Sequence, residues 1–169
     1  MNSEKAELRR YEDDLNVSGT GVVILGAWSV IRALIEIATN AKEIFKTAEI
    51  NTFFEKVVAV VIILGVIGII SFIIMKVYLY IGLNAMRAAK GKPHKKGYLA
   101  AAIIITVISV LSLSSYIDNI QVLKNIDTTI ASFLVDITTI YILILVIVSS
   151  FRIKKIKKAA IPENADKIQ

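Results

Sequence analysis

The sequence predicts an all-α integral membrane protein whose four transmembrane helices form two hairpins. Three observations lead there. The 169 residues are 56% hydrophobic with mean hydropathy +0.68, more apolar than a soluble domain of this size usually is. Four runs of mainly apolar residues, at 17–38, 54–80, 98–117 and 130–151, each reach the roughly 20 residues that a spanning helix needs. The basic residues are also unevenly shared among the segments between those runs.

The N-terminal segment, 1–16, comes first. Glu4, Glu7, Glu12, Asp13 and Asp14 make it unlike the basic start of a secretory signal, so the first apolar run is read as a retained helix. Leu8, Tyr11 and Leu15 recur at helical spacing. That pattern predicts a short amphipathic helix lying along the inner membrane surface, or a capped extension of the first span.

In the first span, Gly19, Gly21 and Gly26 read as close-packing positions. No strand precedes them and no Lys follows in the pattern of a phosphate loop. Trp28 falls near mid-helix, an uncommon depth for an indole. The second span carries Gly65 and Gly68, where another backbone can approach. Lys76 falls late in that span beside Tyr78 and Tyr80, so it is expected to reach the inner headgroups as an anchor.

Gly91, Pro93 and Gly97 break the chain between the second and third spans. This connection holds Arg87, Lys90, Lys92, Lys95 and Lys96, and also His94, read as a lone solvated residue. The region 152–169 is expected to be a basic cytoplasmic tail. Its Arg152–Lys158 cluster is accounted for by topology, with anionic-lipid contact or a soluble partner as the other readings. Fourteen basic residues flank one predicted side and four the other. The positive-inside rule therefore places both termini and the middle connection in the cytoplasm. The three parts are thus the 1–16 segment, the 17–151 transmembrane domain and the 152–169 tail.

Composition also narrows the function. Cysteine is absent, which removes disulfides, thiolate metal sites and dithiol redox chemistry. A single histidine in a basic connection rules out a Ser–His–Asp set among the spans. No cofactor or metal is expected, and no enzymatic role. The net charge of +6 sits at membrane edges without interleaved aromatics, so no nucleic-acid role is expected.

The chemistry-bearing residues are those that apolar runs tolerate least. Arg or Asp at a helix centre costs roughly +2.5 to +3.5 kcal/mol on insertion scales. Counting from the outer edge at 1.5 Å per residue, Arg32 lies about 10 Å deep, Glu36 about 4 Å and Asp136 about 9 Å. Ser29, Arg32 and Glu36 share a helix face, as do Ser132, Asp136 and Thr139. Thr106, Ser109, Ser112 and Ser115 recur every three residues in the third span. The inner half of the spans carries no charge in its apolar stretches. One protomer thus reads as a cup open outward above an apolar floor.

The expected ligand-binding set is Arg32, Glu36, Asp136, Ser112, Ser115, Thr139 and Ser29. The competing reading is an internal ion pair that fixes helix register, with hydroxyls bonded to their own helices. The expected function is a binding or accessory subunit whose outer-leaflet pocket takes a small polar or lipid-like ligand or a partner helix. A small oligomeric channel or transporter, with its path between protomers, is the alternative. Expected partners are membrane lipids, with a partner membrane protein or a homo-oligomer in either case. The Ile-, Lys- and Asn-rich usage suggests an AT-rich bacterial genome, and the expected location is then a bacterial inner membrane.

Overall fold

The computed structural model describes residues 2–47, 52–119 and 126–165, with side chains over most of 4–35, 52–113 and 130–159. All the described regular structure is helical. The helices are α1 (Asn2–Thr47), α2 (Phe53–Ala89), α3 (Gly97–Asn119) and α4 (Ile126–Ala165). Three of them contain stretches long and apolar enough to cross a membrane: Glu4–Ile35, Val57–Ala89 and Ser132–Ala159. In α3 the apolar stretch among the described side chains is Gly97–Leu113.

The helices run well past the apolar runs. Of the two readings of the N-terminal segment, the helix follows the second, an extension of the first span. From Asn2 its residues are the opening turns of α1, which continues to Thr47. The physical reason is the lack of any breaker. No Gly or Pro interrupts the chain before Gly19, and Glu4 sits favourably in the first turn. Residues 152–165 of the basic tail continue α4. At 46 and 40 residues, α1 and α4 are about 69 and 60 Å long. The hydrocarbon core is only about 30 Å thick.

Helix ends are set by specific chemistry. At the start of α2, the Thr52 N–H donates to Glu55 Oε2 at 3.2 Å and the Glu55 N–H donates to Thr52 Oγ1 at 3.3 Å. This reciprocal pair is a capping box that satisfies two orphan donors. At the end of α2, Gly91 adopts φ +65°. The Gly91 N–H donates to the Ala88 carbonyl at 3.1 Å and the Lys92 N–H to that of Arg87 at 2.9 Å. That is the Schellman arrangement, in which glycine takes the left-handed conformation without a Cβ penalty. The Gly91 of the sequence-predicted break is therefore the residue that stops the helix.

The chain divides into two compact units. Unit one comprises 1–22 and 80–169, and unit two comprises 23–79. In unit one, α3 packs on α4. Its core is Leu15 and Val22 from α1, Ile81 and Ala85 from α2, Ala102 from α3, and Leu143 and Val146 from α4, all fully buried. Two glycines set the spacing there. A Cβ on Gly19 would lie 2.9 Å from the Gly82 carbonyl oxygen, and one on Gly21 would lie 3.1 Å from Ile142 Cδ1. These are the close-packing roles the sequence predicts.

In unit two, Gly26 performs the same task against α2. Its added Cβ would come within 2.5 Å of Tyr78 Cβ. Gly65 and Gly68 differ, for among the described residues no neighbour outside the local helix backbone lies within 4 Å of a Cβ built on either. Their neighbours Val61, Ile62, Leu64, Val66, Ile69 and Ile70 are exposed. Among the described residues, nothing packs against α2 at these two glycines. Trp28 is also exposed on α1. Lys76 places its ammonium 4.5 Å from the Phe72 ring centroid, one turn toward the start of α2. Helical side chains lean toward the N-terminus, and the ring face attracts the cation. The expected reach toward the other end of α2 is not what this contact records.

Candidate functional site

The intramembrane polar residues come first. Arg32 is half-buried on α1 and Asp136 is half-buried on α4. Each makes interactions of its own. Arg32 and Ser29 belong to unit two, whereas Asp136, Thr139 and Ser112 belong to unit one. Glu36 and Ser115 lie on α1 and α3 but outside the described side chains.

The hydroxyls of this set are partly occupied. Ser29 Oγ donates to the Leu25 carbonyl at 2.9 Å, Ser112 Oγ to that of Ile108 at 3.0 Å, and Thr139 Oγ1 to that of Val135 at 2.8 Å. Thr106 and Thr138 do the same with Ala102 and Leu134, each at 2.8 Å. Each bond spans four residues within one helix, which is how hydroxyls are satisfied where water is scarce. The faces also differ. Thr139 is buried, Ser29 half-buried and Ser112 exposed. Hydroxyl periodicity in α3 therefore does not place Ser112 in a protein interior.

A second arrangement, not foreseen from the sequence, lies wholly within unit one. A cavity of about 390 Å³ opens between the start of α3, the end of α4, α1 near Leu15 and the end of α2. Its floor is apolar, made by Leu15, Ala88, Leu99 and Ile153. Leu15 and Ile153 are buried core residues, so the floor is part of the packed bundle. Leu15 thus points into the protein rather than onto a membrane surface.

One wall of the cavity is a hydrogen-bonded relay. Ser150 Oγ donates to the Val146 carbonyl at 2.6 Å, and Tyr98 Oη lies 2.8 Å from Ser150 Oγ. The serine proton is already committed, so Tyr98 is the donor between them. This fixes the start of α3 on the end of α4. The tyrosine ring also meets His94 edge-on, with centroids 5.8 Å apart. His94 Nδ1 lies 3.0 Å from the Lys92 carbonyl. His94 is exposed, as expected, but it is held against Tyr98 and borders the cavity.

The rim is cationic. Lys96, Lys154, Lys157 and Lys158 line it, and among the described residues no carboxylate does. Glu12 of α1 pairs with Lys157 at 2.9 Å just outside. Ser150, Ile153, Lys154, Lys157 and Lys158 share one face of α4 at spacings of three and four. That spacing was a signal in the sequence. It gains meaning only once the tail is helical and Tyr98 and Leu15 face it.

The connection from α2 to α3 holds the cavity's near edge in place. Asn84 is buried, and its Nδ2 donates to the Tyr80 carbonyl at 2.8 Å. Its Oδ1 accepts the Lys95 N–H at 2.9 Å. One side chain thereby ties the end of α2 to the residues just before α3.

Among the described residues, no group of three or more His, Asp or Glu side chains converges to hold a metal ion. The architecture and these sites define a membrane helix bundle. No family model matches the chain, and no curated protein or solved structure matches it either. Its function is therefore argued from its own chemistry.

Proposed function

We propose that the chain is a non-catalytic binding or accessory subunit of a bacterial inner membrane. It crosses four times as two hairpins, with both termini and the 90–96 connection in the cytoplasm. The orientation rests on the fourteen-to-four bias of basic residues. The native chain has no cysteine, so single-cysteine labelling is free of background. His94→Cys should react only after permeabilisation and Glu49→Cys from outside intact cells. Labelling of position 94 from outside would overturn the orientation.

The observation that carries the binding reading is the closed packing in unit one. Val22, Ile81, Leu143 and Val146 are fully buried there and apolar, and among the described residues Ser149 alone is a polar side chain buried as deeply. A conduction path needs polar groups along its length. Such a layer instead favours a protein that receives a ligand from one side. The proposed outer-leaflet site comprises Arg32, Glu36 and Asp136, with Ser29, Ser112, Ser115 and Thr139. Its pairing of Arg32 with Asp136 is inferred from their common depth along the helices.

A double-mutant cycle tests that pairing. Arg32→Ala should destabilise the protein by about 1–4 kcal/mol, because Asp136 loses its proposed counter-charge. The double change Arg32→Leu with Asp136→Leu should recover much of that loss. Lost retention of a co-purified small molecule in the recovered double variant would support a ligand site. Strictly additive losses would remove the pairing.

The runner-up, an oligomeric channel or transporter, draws support from the exposed apolar face of α2 around Gly65 and Gly68. A symmetric ring in detergent with a polar central face would favour it. A monomer favours the binding reading.

A further inference from the structure

We propose that the cavity bounded by Tyr98, Leu99, Ile153 and the lysines of α4 binds an anionic phospholipid through its phosphate headgroup. The site is separate from the outer-leaflet set and depends on the proposed orientation only for which leaflet supplies the lipid.

The argument starts from the lining. An apolar floor beneath a cationic rim matches an amphiphile rather than a solute of one character. At about 390 Å³ the cavity admits a headgroup and the first methylenes of its chains. The floor residues Leu15 and Ile153 are buried in the bundle, so this surface exists before any ligand arrives. Lysine ammonium groups are compact charges on flexible stems and can close on a phosphate from several directions. Basic pockets between membrane helices are a recurring way to hold anionic headgroups.

The charge arrangement favours an anion specifically. Glu12, a carboxylate beside the rim, is engaged with Lys157 at 2.9 Å. It therefore offsets one lysine and leaves Lys96, Lys154 and Lys158 to set the sign at the opening. Lys155 lies on the same helix with the same charge but does not line the cavity. Electrostatic attraction to a membrane surface would use Lys155 as readily as Lys154. A built site would not.

That difference supplies the test. The full chain is placed in nanodiscs or detergent and lipid retention is read by native mass spectrometry, with phosphatidylglycerol and phosphatidylcholine as probes. Lys154→Gln with Lys158→Gln is compared with Lys90→Gln and Lys155→Gln, which removes the same charge away from the cavity. Phosphatidylglycerol should be retained at least about ten-fold better than phosphatidylcholine. At roughly five-fold per lysine, the lining pair should lower its affinity about 25-fold, and the control pair less than about two-fold.

Leu99→Trp fills the floor without altering the rim and should also displace the lipid. It keeps the proposal testable if the lysine variant folds poorly. Equal losses in the two lysine pairs would mean diffuse surface attraction and overturn the site. Full retention in Leu99→Trp, or equal retention of phosphatidylcholine, would overturn it too. Displacement of the lipid by millimolar inorganic phosphate would assign the site to a free phosphate solute instead, against the proposal.

Discussion

Gly19→Leu is expected to destabilise the protein by about 3 kcal/mol, through overpacking where α1 meets α2. A Cβ at this position would already lie 2.9 Å from the Gly82 carbonyl oxygen, 3.0 Å from Met86 Cγ and 3.2 Å from Ala85 Cβ. Methionine can rotate aside, but the carbonyl belongs to the α2 backbone and moves only with the helix. The larger side chain therefore has to push the two helices apart and loosen Ile81 and Ala85, both fully buried. Gly65→Leu is the matched control, since among the described residues no packing neighbour lies within 4 Å of its Cβ. It should change stability by less than about 0.5 kcal/mol. The readout is the midpoint of unfolding in mixed micelles of rising dodecyl sulfate fraction. If Gly65→Leu proves the costlier change, the close approach of α1 and α2 is not what holds the bundle.

Leu143→Ala should cost about 1–3 kcal/mol, against less than about 0.5 kcal/mol for its neighbour Ile144→Ala. Leu143 is fully buried, whereas Ile144 is 44% exposed. In a soluble protein, truncating a buried leucine costs more, because the lost methyls also forfeit their transfer from water. Lipid tails are as apolar as leucine, so inside a bilayer that part shrinks. What remains is the loss of packing contacts around the cavity created. The contrast between adjacent positions therefore reports packing rather than hydrophobicity. Equal costs at the two positions would show that Leu143 faces lipid and that the core lies elsewhere.

These two pairs of substitutions also mark how far the sequence could be read. The helical class and the apolar runs were plain from composition and run length. Gly19, Gly21 and Gly26 were correctly expected at close approaches. Gly65 and Gly68 raised the same expectation and met open space. A glycine shows only that no side chain is present, and not what comes near. Leu8, Tyr11 and Leu15 behaved similarly. Their spacing revealed a helical face, yet a membrane surface and a protein core present the same apolar demand to Leu15. Only the packing of α3 and α4 decides between them.

The ends of the helices are not marked by the apolar runs, for a different reason. The apolar runs stop where hydrocarbon would stop, but α1 and α4 continue because their charged extensions contain good helix formers. Lys154, Lys157 and Lys158 were legible as charge and not as one rim. That required the helix to persist past Phe151, and it required Tyr98, Leu15 and Ala88 to arrive from three other segments. The hydroxyl set was readable in both directions. The back-bonds of Ser29, Ser112 and Thr139 match the plainer of the two readings.

The connection between α2 and α3 has a mechanical consequence. Its first residues close the Schellman turn on Arg87 and Ala88, and its Lys95 amide is held by Asn84. Tyr98, just beyond it, is fastened to Ser150. Little slack remains between these points. A slip of α3 along α2 by one helical turn, about 5.4 Å, would have to tear out the Asn84 bond or unwind the glycine stop. The connection therefore acts as a clamp rather than a hinge. It fixes the register of the two helices it joins, so rearrangement in this unit must come from rotation or repacking of whole helices.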